Sequence, residues 1–282
     1  MQEVRRVAAV NDLSGFGRCS LTVTIPVLSA MGFQVCPVPT AVLSSHTGYP
    51  NPLIRDFSGD MEAYLSHWDS LGLTFACGYT GFLGDGKQAE ILEPFLRKLR
   101  EQGALRLVDP AMADHGRLYS SCSPALVPAM ARLVSLASVA TPNLTELCLL
   151  TGEDFSAVVA DPRCRERIVA MARRLLADGC GAVVVTGVEA GENIDNCVLT
   201  SVDADPVWIS GHRVAKNFAG TGDLFASVLC GWLLRGLPLD EAVTRTTDFM
   251  CKTTEATAAV CKNGQDGIAF EPFLRELTEE YI

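Results

Sequence analysis

The sequence predicts an α/β protein in which helices cover both faces of a mostly parallel sheet. Along the 282 residues, short apolar runs rich in β-forming residues alternate with longer segments of helical periodicity, an order typical of parallel sheets. The apolar runs are continuous, as strands that are buried on both faces require. No linker, repeat or low-complexity segment interrupts the pattern, so we expect residues 1–282 to form a single domain.

Six apolar runs are predicted strands, because each precedes a turn-rich segment and a helix-compatible stretch. They cover residues 4–10, 34–39, 74–79, 106–108, 136–140 and 182–186. The predicted helices cover residues 18–31, 87–101, 145–150, 165–178, 223–235, 239–259 and 271–281. Between residues 196 and 214 the hydrophobicity alternates, which predicts an antiparallel hairpin that ends the sheet or acts as a flap.

Composition excludes several classes of partner. The chain carries 23 Lys and Arg against 33 Asp and Glu, so it lacks the basic field that nucleic acid or an anionic membrane requires. No apolar run approaches the ~20 residues that span a bilayer, and nothing marks the chain for export. Eleven cysteines without a CxxC pair and four scattered histidines disfavour zinc. Buried thiols in a reduced compartment are the simpler interpretation, and we expect a cytoplasmic protein.

Two glycine loops only partly match nucleotide-binding motifs. Residues 81–88 nearly match the P-loop pattern GxxxxGK(S/T), but Gln88 stands where a hydroxyl would bind magnesium. Residues 15–20 approach the dinucleotide pattern GxGxxG, with Ser20 in place of the third glycine and no acid after the second strand. We therefore interpret both loops as turns.

A third glycine loop leads directly into a predicted helix. Gly220, Thr221 and Gly222 precede an apolar helical face, and Asp223 stands in its first turn. Backbone N–H groups and the helix dipole at such an end form a site for an anion, such as a transferring phosphoryl group. Asp223 is then either a partner of the dipole or a general base for a substrate hydroxyl.

Five ordered motifs resemble those of the ribokinase superfamily, and within it the pyridoxal/pyridoxamine (vitamin B6) kinases. The motifs are Ser45-His46-Thr47-Gly48-Tyr49, Gly78-Tyr79-Thr80, Asp109-Pro110, Thr141-Pro142-Asn143-x-x-Glu146 and Gly220-Thr221-Gly222-Asp223. The resemblance covers most of the chain. It implies a ribokinase-like three-layer α/β/α fold with a mostly parallel central sheet, and a homodimer.

The resemblance also implies an ATP- and Mg²⁺-dependent kinase, with a monovalent cation as an optional activator. Asp223 would deprotonate the 5′-hydroxymethyl group of a B6 vitamer (pyridoxal, pyridoxamine or pyridoxine), while Gly220, Thr221 and Gly222 would hold the transferring phosphate. The residues implied near ATP are Asp109, Asn143, Glu146 and Thr186, with residues 223–264 flanking the adenine. Those implied near magnesium, mainly through water, are Asp109, Asp114 and Glu146.

The pyridine ring would lie near the first strands. The residues implied there are Asp12, His46, Thr47, Gly48 and Tyr79, and Tyr79 would offer an aromatic face or edge. Asp12 departs from the short hydroxyl residue of many B6 kinases, and a carboxylate there could pair with a protonated ring nitrogen or amine. Purely structural interpretations remain open for Asp109 as a turn residue, for Asn143 and Glu146 as a helix start, and for His46.

Alternative functions also remain open. A hydroxymethylpyrimidine kinase of thiamine synthesis would use the same chemistry on a related ring. A sugar kinase is less well supported, because the several Asp/Asn side chains and the GG pair that sugar kinases usually present near the first strands are not evident in this sequence. A catalytically silent vitamer-binding protein would have no need of Asp223 beside the glycine loop.

Overall fold

A nine-stranded sheet runs through the computed structural model, which describes residues 4–261 and 263–278. The strands of the described residues are β1 (Arg6–Ser14), β2 (Gln34–Leu43), β3 (Ile54–Asp56), β4 (Cys77–Thr80), β5 (Leu105–Val108), β6 (Ala113–Asp114), β7 (Arg117–Leu118), β8 (Val139–Ala140), β9 (Val183–Ala190), β10 (Asn193–Leu199) and β11 (Val207–His212). The sheet has the order β11-β10-β9-β8-β5-β4-β1-β2-β3, and β6 and β7 form a separate ribbon. The strands from β9 to β2 are parallel, whereas β3, β10 and β11 are antiparallel to their neighbours.

Helices cover both faces of the sheet. They are α1 (Leu21–Ala30), α2 (Met61–Ser70), α3 (Gly86–Glu101), α4 (Leu126–Leu136), α5 (Leu144–Thr151), α6 (Phe155–Val159), α7 (Cys164–Ala177), α8 (Thr221–Leu234) and α9 (Leu239–Val260), with 3₁₀ helices at Gly264–Asp266 and Glu271–Leu277. One apolar core packs α2 to α5 and α7 on one face, and a second packs α1, α8 and α9 on the other. The predicted three-layer α/β/α fold is confirmed.

Neighbouring residues of each central strand enter different cores, which explains why these strands are apolar throughout. In β1, Val7 belongs to the core beneath α1, α8 and α9, while Ala8 belongs to the opposite core. Both side chains are fully buried. Continuous hydrophobicity is therefore the direct consequence of two helical layers.

Several predicted boundaries need correction. The predicted strand at 136–140 is reduced to Val139–Ala140, because α4 continues to Leu136. The predicted helix at 271–281 is a 3₁₀ helix over Glu271–Leu277, and residues 279–282 lie outside the described part. Leu274 and Leu277 both pack on the core, and their three-residue spacing fits the three residues per turn of a 3₁₀ helix. Sequence patterns did not predict α2, α4, α6, β3, β6 or β7.

The near-match to a P-loop is a structural turn. Gln88 is buried; its Nε2 donates to the carbonyl oxygen of Thr40 over 2.8 Å and to Ser58 Oγ over 2.9 Å. Its Oε1 accepts the backbone N–H of Gly84 over 2.8 Å. Asp85 begins α3 by accepting the N–H of Gln88. Gln88, the residue that departs from the P-loop pattern, therefore stabilises the loop through buried hydrogen bonds of its side chain.

The strand order reverses at β1. After β2 and β3 have been added on one side of β1, the chain returns to add β4 on the other side. Connections on opposite sides leave a crevice at the carboxyl ends of the two central strands, where ligands of open α/β sheets bind.

Among the described helices, none combines the length and the hydrophobicity that crossing a bilayer would require.

Replacement of Gln88 by Ala tests the structural assignment of this loop. We expect Gln88→Ala to lower the free energy of unfolding by about 2–3 kcal/mol, because buried partners lose their hydrogen bonds. Lys87→Ala is the control, since Lys87 is exposed and its loss should change stability by less than about 0.5 kcal/mol. Urea denaturation measures both, and equal effects of the two variants would contradict the assignment.

Candidate active site

A cleft of about 420 Å³ opens beyond the carboxyl ends of β5, β8 and β9. Nine of the residues that the sequence singled out line it. They are Asp109, Asp114, Asn143, Glu146, Thr186, Gly220, Thr221, Gly222 and Asp223. The structure therefore brings the predicted anion loop, the predicted base and the predicted nucleotide-side residues into one cavity, although they come from distant parts of the chain.

The loop at the start of α8 presents backbone N–H groups to this cleft. Gly220 is the residue before the helix, has a φ of 70°, and no side chain caps the helix end. A Cβ atom at Gly220 would lie 1.9 Å from the carbonyl oxygen of Arg18, so only glycine fits there. Thr221 and Gly222 are exposed. The first turn is thus open to an anion, which the helix dipole would stabilise.

Asp223 stands in the first turn of α8. Its Oδ1 accepts a hydrogen bond from Asn11 Nδ2 over 3.0 Å. Desolvation raises the pKa of Asp223 to about 6, aided by the charge of Asp12 and opposed by the backbone N–H of Ser20 and by Asn11. A carboxylate with a pKa close to neutrality is suited to accept a proton from a hydroxyl group.

Asp109 follows β5 and lies across the cleft from the start of α8. A Cβ atom at Gly222 would be 3.8 Å from Asp109 Oδ2, which shows how closely the carboxylate approaches the anion loop. Burial, and then the charge of Asp223, raise the pKa of Asp109 to about 8. Two carboxylates in one buried site ionise together readily only when a cation compensates them.

Asn143 and Glu146 form a reciprocal helix cap at the start of α5. Asn143 Oδ1 accepts the N–H of Glu146, and Glu146 Oε2 accepts the N–H of Asn143, both over 2.9 Å. Glu146 Oε1 accepts the N–H of Met112 over 3.1 Å, and Asn143 Nδ2 donates to the carbonyl oxygen of Ala113 over 2.8 Å. The helix-start interpretation is therefore confirmed. The same two side chains also face the cleft, beside Thr186.

The three carboxylates predicted near magnesium do not form a closed ligand set. Among residues 4–261 and 263–278, no three His, Cys, Asp or Glu side chains are placed to hold one metal ion. Asp114 is 53 % exposed, and the oxygens of Glu146 already accept backbone N–H groups. Hard oxygen donors around one open cleft fit a hydrated Mg²⁺ that takes its other ligands from water and phosphate.

Asp12 lies near Asp223 but does not line the cleft. It is 6 % exposed, and its carboxylate accepts hydrogen bonds from the hydroxyls of Ser14 and Ser20. Burial raises its pKa. Both oxygens therefore have partners within the protein, and the contact with a ring nitrogen that we predicted for Asp12 stays a prediction.

Tyr79 does not line the cleft, and the aromatic contact that we predicted for it stays a prediction. Tyr79 is 1 % exposed and belongs to the core beneath α1 and α8, where the side chains of Cys77 and Cys230 also pack. Burial, then the charges of Asp223 and Asp109, raise the pKa of its phenol. Tyr79 lies within β4, and its side chain points into the helical layer formed by α1 and α8.

His46, Thr47 and Gly48 form a loop that packs on a distant segment. His46 Nδ1 accepts the N–H of Gly48 over 3.1 Å, which leaves Nε2 to donate to the carbonyl oxygen of Gln265 over 2.7 Å. Gln265 Nε2 in turn donates to the carbonyl oxygen of Gly48 over 3.0 Å. The structural interpretation of His46 is thus confirmed, while Thr47 and Gly48 are exposed and free to contact a ligand.

One wall of the cleft consists of residues that the sequence motifs did not name individually, although the resemblance implied residues 223–264 beside the adenine. The residues of this wall are Glu189, Ile194, Asn196, His212, Arg213, Lys216, Thr247, Met250, Cys251 and Thr254. The hairpin that we had interpreted as a sheet edge or flap does end the sheet, but its side chains also line the cavity. In α9 the signal was present, because Thr247, Met250, Cys251 and Thr254 recur at helical spacing on one face.

Comparisons with known proteins agree with this arrangement. A sequence model of the phosphomethylpyrimidine kinase family matches residues 73–267. A pyridoxine/pyridoxal/pyridoxamine kinase of Bordetella avium is 34 % identical over 266 residues, which cover 89 % of this chain and 85 % of the relative.

Solved structures are similarly close. A Bacteroides thetaiotaomicron protein, assigned as a phosphomethylpyrimidine kinase and crystallised with pyridoxal, is 37 % identical with a TM-score of 0.92, over 98 % of this chain and 96 % of the other. Pyridoxal kinase from Lactobacillus plantarum is 28 % identical with a TM-score of 0.88, over 99 % and 98 % of the two chains. With its three-layer fold and its glycine loop and aspartate at the cleft, the chain belongs to the pyridoxal kinase family of the ribokinase superfamily.

Proposed function

We propose that the protein phosphorylates the 5′-hydroxymethyl group of a vitamin B6 vitamer with ATP as phosphate donor. The observation that carries this proposal is the position of Asp223, which stands at the uncapped start of α8 and faces the end of β1. Relatives named as pyridoxine, pyridoxal and pyridoxamine kinases and a similar structure crystallised with pyridoxal support the choice of substrate.

The nucleotide is proposed to occupy the large cleft. Its phosphates would lie against the N–H groups of Gly220, Thr221 and Gly222, and its adenine against the face of α9 that carries Thr247 and Met250. Asp109, Asp114 and Glu146 would hold a hydrated Mg²⁺, which supplies positive charge to the phosphates. The vitamer would lie on the opposite side of Asp223, near Asp12 and the exposed Thr47 and Gly48.

In this mechanism Asp223 accepts the proton of the substrate hydroxyl as the hydroxyl oxygen attacks the γ-phosphorus atom of ATP, and the bond between that phosphorus and the β,γ-bridging oxygen breaks to release ADP. The first turn of α8 stabilises the charge on the transferring phosphoryl group, because its N–H groups are already oriented in the free protein. Positioning of the two substrates and electrostatic stabilisation account for most of the rate enhancement of phosphoryl transfer.

A hydroxymethylpyrimidine kinase is the second candidate. Its support is the phosphomethylpyrimidine kinase family model that matches residues 73–267. The chemistry at Asp223 would be the same, since both substrates present a hydroxymethyl group on an aromatic nitrogen ring. The two candidates differ only in the ring that the vitamer side of the site accepts.

Asp223→Asn tests the proposed base. We expect kcat to fall by about 10²–10⁴-fold, because the amide cannot accept the hydroxyl proton, while the affinity for Mg-ATP stays within about twofold of the unmodified protein. ADP release is measured in parallel with pyridoxal, pyridoxamine, pyridoxine and hydroxymethylpyrimidine, and ATP affinity is measured by calorimetry.

The panel separates the candidate functions. Turnover of a B6 vitamer that is lost in Asp223→Asn supports the proposal, and turnover of hydroxymethylpyrimidine alone supports the second candidate. Tight vitamer binding without ADP release would identify a silent binding protein. A normal kcat in Asp223→Asn would contradict the role of Asp223 in either kinase.

Gly220→Ala tests the anion loop. The added Cβ would overlap the carbonyl oxygen of Arg18 and force a φ of 70° on alanine, so we expect about 1–3 kcal/mol less stability and a kcat at least about 100-fold lower. Gly222→Ala is the control for folding, because its added Cβ would meet only ordinary van der Waals contacts and should therefore not strain the fold. Thermal unfolding and ADP release check both, and full activity of Gly220→Ala would refute the proposed role of the loop.

We also propose that the protein is cytoplasmic and homodimeric. All eleven cysteines are free thiols, as in proteins of reduced compartments. Large apolar side chains lie exposed near the β2–β3 edge of the sheet, where Phe16, Val42, Leu53 and Ile54 are 41–58 % exposed. Exposed apolar side chains that cluster in one region are typical of contact surfaces, and a second copy of the chain would cover them.

A charge at this edge tests the dimer. We expect Leu53→Glu with Ile54→Lys to convert the protein from dimer to monomer, because burying the two charges would cost more than the contact gains. Val207→Glu is the control, since Val207 is 45 % exposed at the opposite edge strand. Light scattering across a concentration series gives the masses, and a monomeric unmodified protein would disprove the dimer.

A further inference from the structure

Asn11 lies in β1, and its buried carboxamide forms hydrogen bonds through both its oxygen and its nitrogen. It is 1 % exposed. Its Oδ1 accepts the backbone N–H of Phe82 over 2.9 Å and that of Asp12 over 3.0 Å. Its Nδ2 donates to Asp223 Oδ1 over 3.0 Å. One side chain therefore joins the end of β1, the loop after β4 and the first turn of α8.

These contacts define the orientation of the amide. Two backbone N–H groups can only donate, so the atom that they contact must be the carbonyl oxygen of Asn11. The amide nitrogen then necessarily faces Asp223, which as a carboxylate accepts its hydrogen bond. A hydrogen bond to an ionised carboxylate is roughly twice as strong as one between neutral groups.

Gly81 makes the space that this side chain occupies. A Cβ atom at Gly81 would lie 2.3 Å from Asn11 Nδ2 and 2.7 Å from its Cγ. The N–H of Gly81 also donates to the carbonyl oxygen of Val10 over 2.8 Å, so the backbone cannot move away without losing a sheet contact. Gly81, which follows β4, and Asn11, which lies in the C-terminal half of β1, therefore fit each other.

The surroundings of Asp223 explain why a donor is needed there. Asp12 and Asp109 face it from β1 and from the end of β5, and the phenol of Tyr79 and the thiol of Cys19 lie nearby. The charge of Asp12 raises the pKa of Asp223, and the charge of Asp223 in turn raises the pKa of Asp109, so these carboxylates disfavour one another's ionised forms. Among the side chains of residues 4–261 and 263–278, Asn11 is the one that donates a hydrogen bond to Asp223.

We propose that Asn11 is a positioning residue, which holds the Asp223 carboxylate in the orientation in which it accepts the substrate proton. The absence of a side chain at Gly81 leaves the room that the Asn11 amide requires. The inference rests on the proposed function, because it assigns Asn11 a role only through Asp223. It predicts that changes at Asn11 lower kcat and leave the binding of Mg-ATP unchanged.

A double-mutant experiment separates this role from a structural one. We expect Asn11→Ala to lower kcat about tenfold at pH 7, the effect of losing one hydrogen bond to a charged group, with KM for ATP changed less than about twofold. When Asp223→Asn is already present, adding Asn11→Ala should lower the residual kcat by less than about twofold, because the group through which Asn11 acts is gone.

Asn11→Asp distinguishes the two ends of the side chain. It keeps nearly the same shape and keeps an oxygen for the N–H groups of Phe82 and Asp12, but it replaces the donor to Asp223 by a second carboxylate. We expect kcat to fall at least as far as in Asn11→Ala. Gly81→Ala, which displaces the amide from the other side, should also lower kcat about tenfold.

Matched controls and outcomes complete the test. Thr151→Val removes a different buried hydrogen bond, from Thr151 Oγ1 to the carbonyl oxygen of Leu147, and should leave kcat unchanged. Equal losses from Asn11→Ala with and without Asp223→Asn, or full activity of Asn11→Asp, would overturn the inference. A normal kcat in Asp223→Asn alone would instead overturn the proposed function.

Discussion

The contact between Gly220 and the backbone of Arg18 is the constraint on which the candidate site depends. A Cβ atom at Gly220 would lie 1.9 Å from the carbonyl oxygen of Arg18. The loop before α8 can therefore pack directly on the loop before α1 only because residue 220 has no side chain. This approach brings the first turn of α8 to the end of β1. Asn11 and Asp223, which are 212 residues apart in the chain, can then share a hydrogen bond.

Negative charge is the second organising feature of the cleft. Asp109 and Glu146 are nearly fully buried, and burial followed by the charge of a neighbouring carboxylate raises the pKa of each. Asp223 adds a third carboxylate, which Asn11 and the N–H of Ser20 partly stabilise. A bound cation and the N–H groups of α8 would together balance these charges and those of a nucleotide, which explains how an acidic protein can bind an anionic substrate.

A single segment supports both sides of the site. The carbonyl oxygen of Gly264 accepts the N–H of Ala219, next to the anion loop. One residue later, Gln265 holds His46 and Gly48, and the Tyr49 hydroxyl donates to Asp266. The loop proposed to contact the vitamer and the loop proposed to bind phosphate are therefore anchored to the same 3₁₀ turn, so their relative positions do not depend on either loop alone.

The sequence by itself determined the parallel three-layer fold, the anion loop and the candidate base, because continuous apolar strands and a glycine loop before a helix are local patterns. The resemblance to the B6 kinases also pointed to Asp109 and Glu146, through the motifs Asp109-Pro110 and Thr141-Pro142-Asn143-x-x-Glu146. Only the tertiary structure decided that Tyr79 is buried, that the hairpin lines the cleft, and that Asn11 reaches Asp223. Each of these depends on which distant element packs opposite a residue, and a pattern of neighbours along the chain carries no record of that partner.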